Sequence, residues 1–125
     1  MCVSNDASLR DILHSTNGIM STISSKNILI DSGTTSVELT AEIAKKCAEK
    51  GAEFLDAPVT GGMKGAAEGT LLYMVGGKKE AFESCRKIFE AMGKRLVYCG
   101  PNTYGQRMKL ALNLTQAMTL ESYLE

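Results

Sequence analysis

An α/β fold on a mainly parallel sheet, half of a doubly wound architecture, is what this sequence predicts. Three observations carry that expectation. Short apolar stretches of the buried-strand kind alternate with amphipathic stretches of helical period along the chain. Glycines punctuate the junctions where an element must stop. No linker, repeat or low-complexity segment interrupts the alternation, so right-handed strand–helix–strand crossovers are expected.

Taken in order, MCVS (1–4) reads as the end of a strand. NDASLRDILH follows as a helix capped by Asn5 or Asp6, with Leu9, Ile12 and Leu13 inward and a stop at Gly18. Asn27–Gly33, NILIDSG, is a short strand rich in isoleucine and leucine, suited to burial on both faces. Thr35 and Glu38 have capping-box spacing for the next helix, whose apolar stripe is Leu39, Ile43 and Cys47 and which closes at Gly51. AEFLDAPV is expected as a strand, GGMKGAAEG as a glycine-rich loop and TLLYMVGG as a further strand. Lys78–Met92 has the period of a helix with Phe82, Cys85, Phe89 and Met92 on one face, stopped at Gly93. KRLVYCG is a last short strand, and Tyr104–Glu125 reads as one long helix.

The 125 residues suffice for one domain with a modest core. Fourteen Lys and Arg balance 14 Asp and Glu, so no net field draws the chain to nucleic acid or to an acidic membrane. No apolar run is long enough to span a bilayer, and the first residues lack the pattern of a signal peptide. Cys2, Cys47, Cys85 and Cys99 include no CxxC pair, and Cys47 and Cys85 fall on apolar helix faces. They read as reduced thiols of a cytoplasmic protein, with no disulfide framework and no metal site. His14, the only histidine, is assigned to the surface.

Both ends look cut. A doubly wound nucleotide-binding domain opens on a strand, a Gly-x-Gly-x-x-Gly turn and a helix that takes a pyrophosphate. That motif occurs nowhere in the chain. At the other end, MKLALNLTQAMTLESYLE distributes apolar residues nearly all around a helix, which a second domain or another chain must cover. Residues 1–103 are therefore expected as a partial nucleotide-binding domain, and 104–125 as the start of a long helix leading out of it.

Three segments point to chemistry. DAPVTGG, Asp56–Gly62, ends an apolar strand with a hydroxyl and two glycines. A plain turn would explain it, and so would a loop whose backbone N–H groups hold an anion, since backbone approaches closely only where there is no Cβ. DSGT, Asp31–Thr34, follows a buried strand at its C-terminal end, the edge where open α/β sheets bind ligands; a turn with a helix cap is the alternative. Lys109 and Asn113 lie one helical turn apart on the apolar last helix. A lysine there, taken alone, is usually a solvated one snorkelling from the core. Together the segments ask for one reaction. A buried lysine has a lowered pKa that suits proton transfer near neutral pH. A neighbouring amide can hold it or a substrate oxygen, and a hydroxyl with glycine N–H groups can hold a carboxylate. The set fits reversible reduction of a carbonyl on a small acid, with hydride from a nicotinamide.

The same residues carry a resemblance. DAPVTGG, then Gly65-Ala66, Gly69-Thr70-Leu71 and Met74-Val75-Gly76-Gly77, then Gly105, Lys109 and Asn113 in the pattern G-x-x-x-K-x-x-x-N, stand in order and at matching spacing. The chain resembles, over its full length, an internal stretch of the β-hydroxyacid dehydrogenases, which include 3-hydroxyisobutyrate dehydrogenase, tartronate semialdehyde reductase and glyoxylate/succinic semialdehyde reductases. The resemblance implies a Rossmann-like domain using NAD or NADP, a small carboxylate-bearing substrate and a homo-oligomer. Lys109 matches the catalytic lysine, and Thr60, Gly61 and Gly62 match the substrate-carboxylate loop. Asn113 matches the substrate-side amide, Thr34 a cofactor-contacting hydroxyl, and Val3 and Ser4 the pair that closes over the cofactor.

Departures from the family's pattern are few but informative. Thr60 replaces a serine and keeps the hydroxyl. Gly33 stands where serine is common and removes one hydrogen bond, while Ser4 replaces a proline and loosens its turn. The family's dinucleotide fingerprint, helical C-terminal domain and second lysine have no counterpart, so these 125 residues alone are expected to be inactive. A competing reading is a non-catalytic binding or oligomerisation module with helix 104–125 as its partner surface. The joint presence of Lys109, Asn113 and the Thr60–Gly62 loop favours the enzyme.

Overall fold

A computed structural model describes residues 1–124. The elements are α1 (Asp6–His14), α2 (Ile19–Thr22), β1 (Ile28–Asp31), α3 (Val37–Glu49), β2 (Glu53–Asp56), β3 (Val59–Thr60), α4 (Gly62–Ala67), β4 (Leu71–Gly76), α5 (Lys79–Met92), β5 (Gly93–Gly100) and α6 (Tyr104–Leu124). Glu125, the last residue of the expected final helix, lies outside the described residues.

The strands form one sheet in the order β1-β2-β4-β3, with β5 beside β4. The long pairings are parallel. β1 matches β2 from Ile28–Glu53 to Asp31–Asp56, with α3 between them in the chain, and β4 runs parallel to β5, with α5 between them. Antiparallel pairing is confined to Asp56–Gly76 between β2 and β4 and to two residue pairs between β3 and β4. Successive side chains of a strand point to opposite faces. Phe54 and Leu55 in β2 accordingly feed two separate cores. Phe54 joins Leu9, Leu13, Leu39, Ile43 and Cys47, whereas Leu55 joins Val75, Phe82, Cys85 and Phe89.

Several sequence expectations change here. Met1–Val3 is not a strand; it runs beside β1, with the Ser32 N–H donating to the Met1 carbonyl at 2.7 Å. Ile12 and Met92 are 39% and 41% exposed, at the margins of their apolar stripes. α1 stops at Ser15 rather than Gly18, which instead precedes α2 where a Cβ would sit 2.5 Å from the Leu13 carbonyl. Ser36, not Thr35, caps α3, accepting from the Leu39 N–H at 3.2 Å. AEFLDAPV divides at Pro58, which has no N–H for a ladder. GGMKGAAEG is not wholly loop, since it contains α4.

The helix α6 leaves the sheet at its first turn. Only Gly105 and Gln106 of this helix are buried, and Met108, Leu114, Met118 and Tyr123 are exposed. A Cβ on Gly105 would meet the carbonyl oxygens of Asp56 and Met74, each at 2.5 Å. Backbone cannot yield as a flexible side chain can. Gly105→Ala should therefore push α6 off the sheet and cost about 3 kcal/mol of stability. A urea denaturation series would check this, and an unchanged midpoint would contradict the close packing.

Candidate active site

β1 and β2 run parallel and both end in an aspartate, Asp31 beside Asp56. The Asp31 carboxylate organises the turn that follows it. Oδ1 accepts from the Gly33 N–H at 3.0 Å and Oδ2 from the Thr35 hydroxyl at 3.3 Å, which also lies 3.3 Å from the Thr40 hydroxyl. Gly33 and Thr35 are thereby buried, and Thr34 between them is left exposed.

Asp56 does the corresponding work for α6. Its Oδ1 accepts from the Thr103 N–H at 2.9 Å and its Oδ2 from the Gln106 N–H at 3.0 Å. The first N–H groups of a helix have no partner within it, and a carboxylate there also meets the positive end of the helix dipole. Burial pushes the pKa of both aspartates up, partly offset for Asp56 by its N–H donors and for Asp31 by Gly33 and Thr35.

The Thr60–Gly62 segment has a backbone reason for its glycines. Gly61 and Gly62 take φ of 130° and 62°, values that L side chains rarely adopt. The turn alone demands both residues. Any role in binding therefore rests on what shares the space around them.

That space is an open cleft of about 730 Å³. Thr34, Thr60, Gly61, Gly62, Lys109 and Asn113 all line it. The turn after β1, the turn after β3 and the second and third turns of α6 thus converge on one volume. Lys109 is half-buried rather than fully buried, and desolvation holds its pKa below the usual lysine value. Asn113 is exposed. Val3 and Ser4 do not line the cleft. Val3 packs against the core that contains Leu9 and Leu39, Ser4 is exposed, and the neighbouring Cys2 lines the cleft in their stead.

Two residues of consequence escaped the sequence analysis. Gln116 lines the cleft on the face of α6 that carries Lys109 and Asn113, and its spacing of seven from Lys109 was a usable signal. Gln106 is fully buried, accepting from the Thr35 N–H at 3.2 Å and donating to the Gly33 carbonyl at 2.8 Å. Nothing local distinguished it from a surface glutamine.

Comparison with known proteins bears on the whole chain. The family described as the NAD binding domain of 6-phosphogluconate dehydrogenase matches residues 1–100. The mitochondrial 3-hydroxyisobutyrate dehydrogenase of Mus musculus is 36% identical over 110 residues, covering 88% of this chain and 33% of that protein. The chain thus spans about a third of the length of the curated relatives it matches. Among solved structures, the Mycobacterium tuberculosis 3-hydroxyisobutyrate dehydrogenase with L-serine superposes with a TM-score of 0.84 at 32% identity, over 93% of this chain and 39% of that one. Psf3 in complex with NADP+ and 2-OPP gives 0.90 at 27% identity, over 95% and 42%.

Asp31 provides a test by pH. Its raised folded-state pKa means that the protonated form is favoured by folding, so the contribution is fully present below the unfolded value near 3.8 and is lost as pH rises through the folded value. Asp31→Asn keeps the acceptor for Gly33 and abolishes the titration. Relative to the parent, this variant should gain stability as pH rises from about 4, read from urea midpoints across a pH series. A difference that stays flat with pH would mean that burial does not control this carboxyl.

Proposed function

We propose, for a chain that belongs to the β-hydroxyacid dehydrogenase family, that it forms the cofactor and substrate wall of an NAD(P)-dependent oxidoreductase acting on a small hydroxy acid. The observation that supports this most is the sharing of one cleft by Lys109, Asn113, Thr34 and the Thr60–Gly62 turn. That cleft lies toward the C-terminal ends of β1 and β2, the edge at which open α/β sheets take ligands.

The residues suit a dinucleotide, NAD or NADP. Thr34 offers an exposed hydroxyl directly after Gly33, and Gly33 lacks the Cβ that would crowd Asp31 Oδ1 at 3.2 Å and the Val3 carbonyl at 3.3 Å. By the family pattern Val3 and Ser4 belong to the cofactor side, and the Val3 backbone stands against Gly33. A bound nicotinamide supplies or takes the hydride.

The rest belongs to the chain. The Thr60 hydroxyl, with the N–H groups of Gly61 and Gly62, holds the substrate carboxylate. The Asn113 amide binds the oxygen-bearing end of the substrate. As hydride reaches the carbonyl carbon, the C=O π pair moves to oxygen and takes the proton from Lys109 Nζ. The neutral amine then recovers a proton from water through the open cleft. In the oxidising direction Lys109 takes the hydroxyl proton. Desolvation lowers its pKa, a shift in the direction that favours its acting as both donor and acceptor.

The substrate is a semialdehyde or oxo acid or its hydroxy acid partner. The exposed apolar residues of α6 favour a further domain and a second subunit as their cover, and the 125 residues alone should turn over little or nothing. The four free thiols fit the reducing cytoplasm, and fit equally the mitochondrial address of the mouse relative. Lys109→Ala in the whole protein should lower kcat by about 10² to 10⁴-fold while dinucleotide affinity stays within about twofold. Steady-state kinetics with a panel of semialdehyde acids, beside a fluorescence titration of the dinucleotide, checks both. Wild-type turnover in this variant would remove Lys109 from the mechanism.

A further inference from the structure

We infer that Gln106 is a positioning residue: its side-chain amide ties the turn that presents Thr34 to the helix that carries Lys109, so that a ligand held on that turn sets the placement of Lys109. The inference rests on the proposed dinucleotide-dependent function, because the ligand in question is the dinucleotide.

Three features support the assignment. Burying a glutamine forfeits much rotamer freedom and requires both ends of its amide to be paired. Gln106 meets that requirement at one place only. Its Oε1 accepts from the Thr35 N–H at 3.2 Å and its Nε2 donates to the Gly33 carbonyl at 2.8 Å, so the two bonds straddle Thr34. The backbone N–H of the same residue donates to Asp56 at the end of β2. Gln106 thus joins the β1 turn, the end of β2 and the start of α6 through one residue.

Its place on α6 gives that junction a direction. Residues three apart on a helix share a face, and about 4.5 Å of axial rise separates Gln106 from Lys109. Beyond Gln106 the described residues of α6 are exposed or half-buried, so among these residues the sheet reaches Lys109 through the first turn of its helix. Little but the first turn sets the helix against the sheet. A movement of the Thr34 turn is therefore delivered to α6 at its one well-anchored place.

A purely structural glutamine would stabilise the fold without transmitting anything, and amide hydrogen exchange separates the two roles. In the whole protein, adding dinucleotide should slow exchange of the α6 amides from Met108 to Asn113 by about tenfold. In Gln106→Met, which keeps the length and loses both bonds, dinucleotide should still bind but should leave those amides unchanged. Gln106→Glu keeps the acceptor for Thr35 and sets an oxygen against the Gly33 carbonyl. It should give the same loss of coupling, and it serves as the probe if the methionine variant does not fold. Full protection in a folded, dinucleotide-binding variant would overturn the positioning role alone. Failure of the wild-type protein to bind NAD or NADP would overturn the functional reading, and the inference with it.

Discussion

The carboxylate of Asp56 is the constraint on which the rest of the site depends. It is fully buried at the end of β2 and accepts the N–H groups of Thr103 and Gln106, 47 and 50 residues further along the chain. Helices are usually capped by a residue of their own first turn. Here the sheet provides the cap, so the direction in which α6 leaves the sheet is decided by a strand. Lys109 and Asn113 inherit their positions from that arrangement. The desolvation that raises the pKa of Asp56 opposes its ionisation, and the two N–H donors with the helix dipole act against that cost.

This polar anchoring matters because α6 has little hydrophobic attachment of its own. The two cores lie on either side of the sheet and are filled mainly from α1, α2, α3, α5 and the strands. Of α6 only Gly105 and Gln106 are buried, while Met118 is 64% exposed. Close approach at Gly105, the Asp56 cap and the Gln106 amide therefore hold the helix where hydrophobic burial would ordinarily do so. The same sparse attachment leaves the cleft open and apolar residues exposed all around the helix.

Much of this architecture was legible in the sequence, and the misses have physical causes. The stripe of Leu39, Ile43 and Cys47 and the inward run of Phe82, Cys85 and Phe89 follow from periodicity, which senses burial directly. Lys109, Asn113, Thr34 and the Thr60–Gly62 turn stood out as candidates from motif and spacing, and they line one cleft. Thr35 looked like a helix cap because its local pattern permits one. Its hydroxyl is instead engaged with Asp31 and Thr40, and Ser36 takes the cap while its own N–H is held by Asp6. Asp56 read as the first letter of a motif, yet its partners lie on another element. Gln106 was invisible for the same reason, since long-range hydrogen bonds leave no periodic trace. Val3 and Ser4 sit where family pattern suggested a wall, and the cleft is lined by their neighbour Cys2.

The Asp56 carboxylate sets the start of the helix bearing Lys109, and Asp56→Asn tests this with little change in shape. The Thr103 and Gln106 N–H groups take different oxygens of Asp56, so in the same pose an amide keeps one of the two bonds and sets its NH₂ donor against the other N–H. The most direct measurement is residue-resolved amide hydrogen exchange of this variant beside the parent. Protection should fall across Thr103–Lys109 while the amides of α3 and α5 keep theirs. Parental protection at the start of α6 would contradict the account, and the placement of Lys109 would then have to come from another contact.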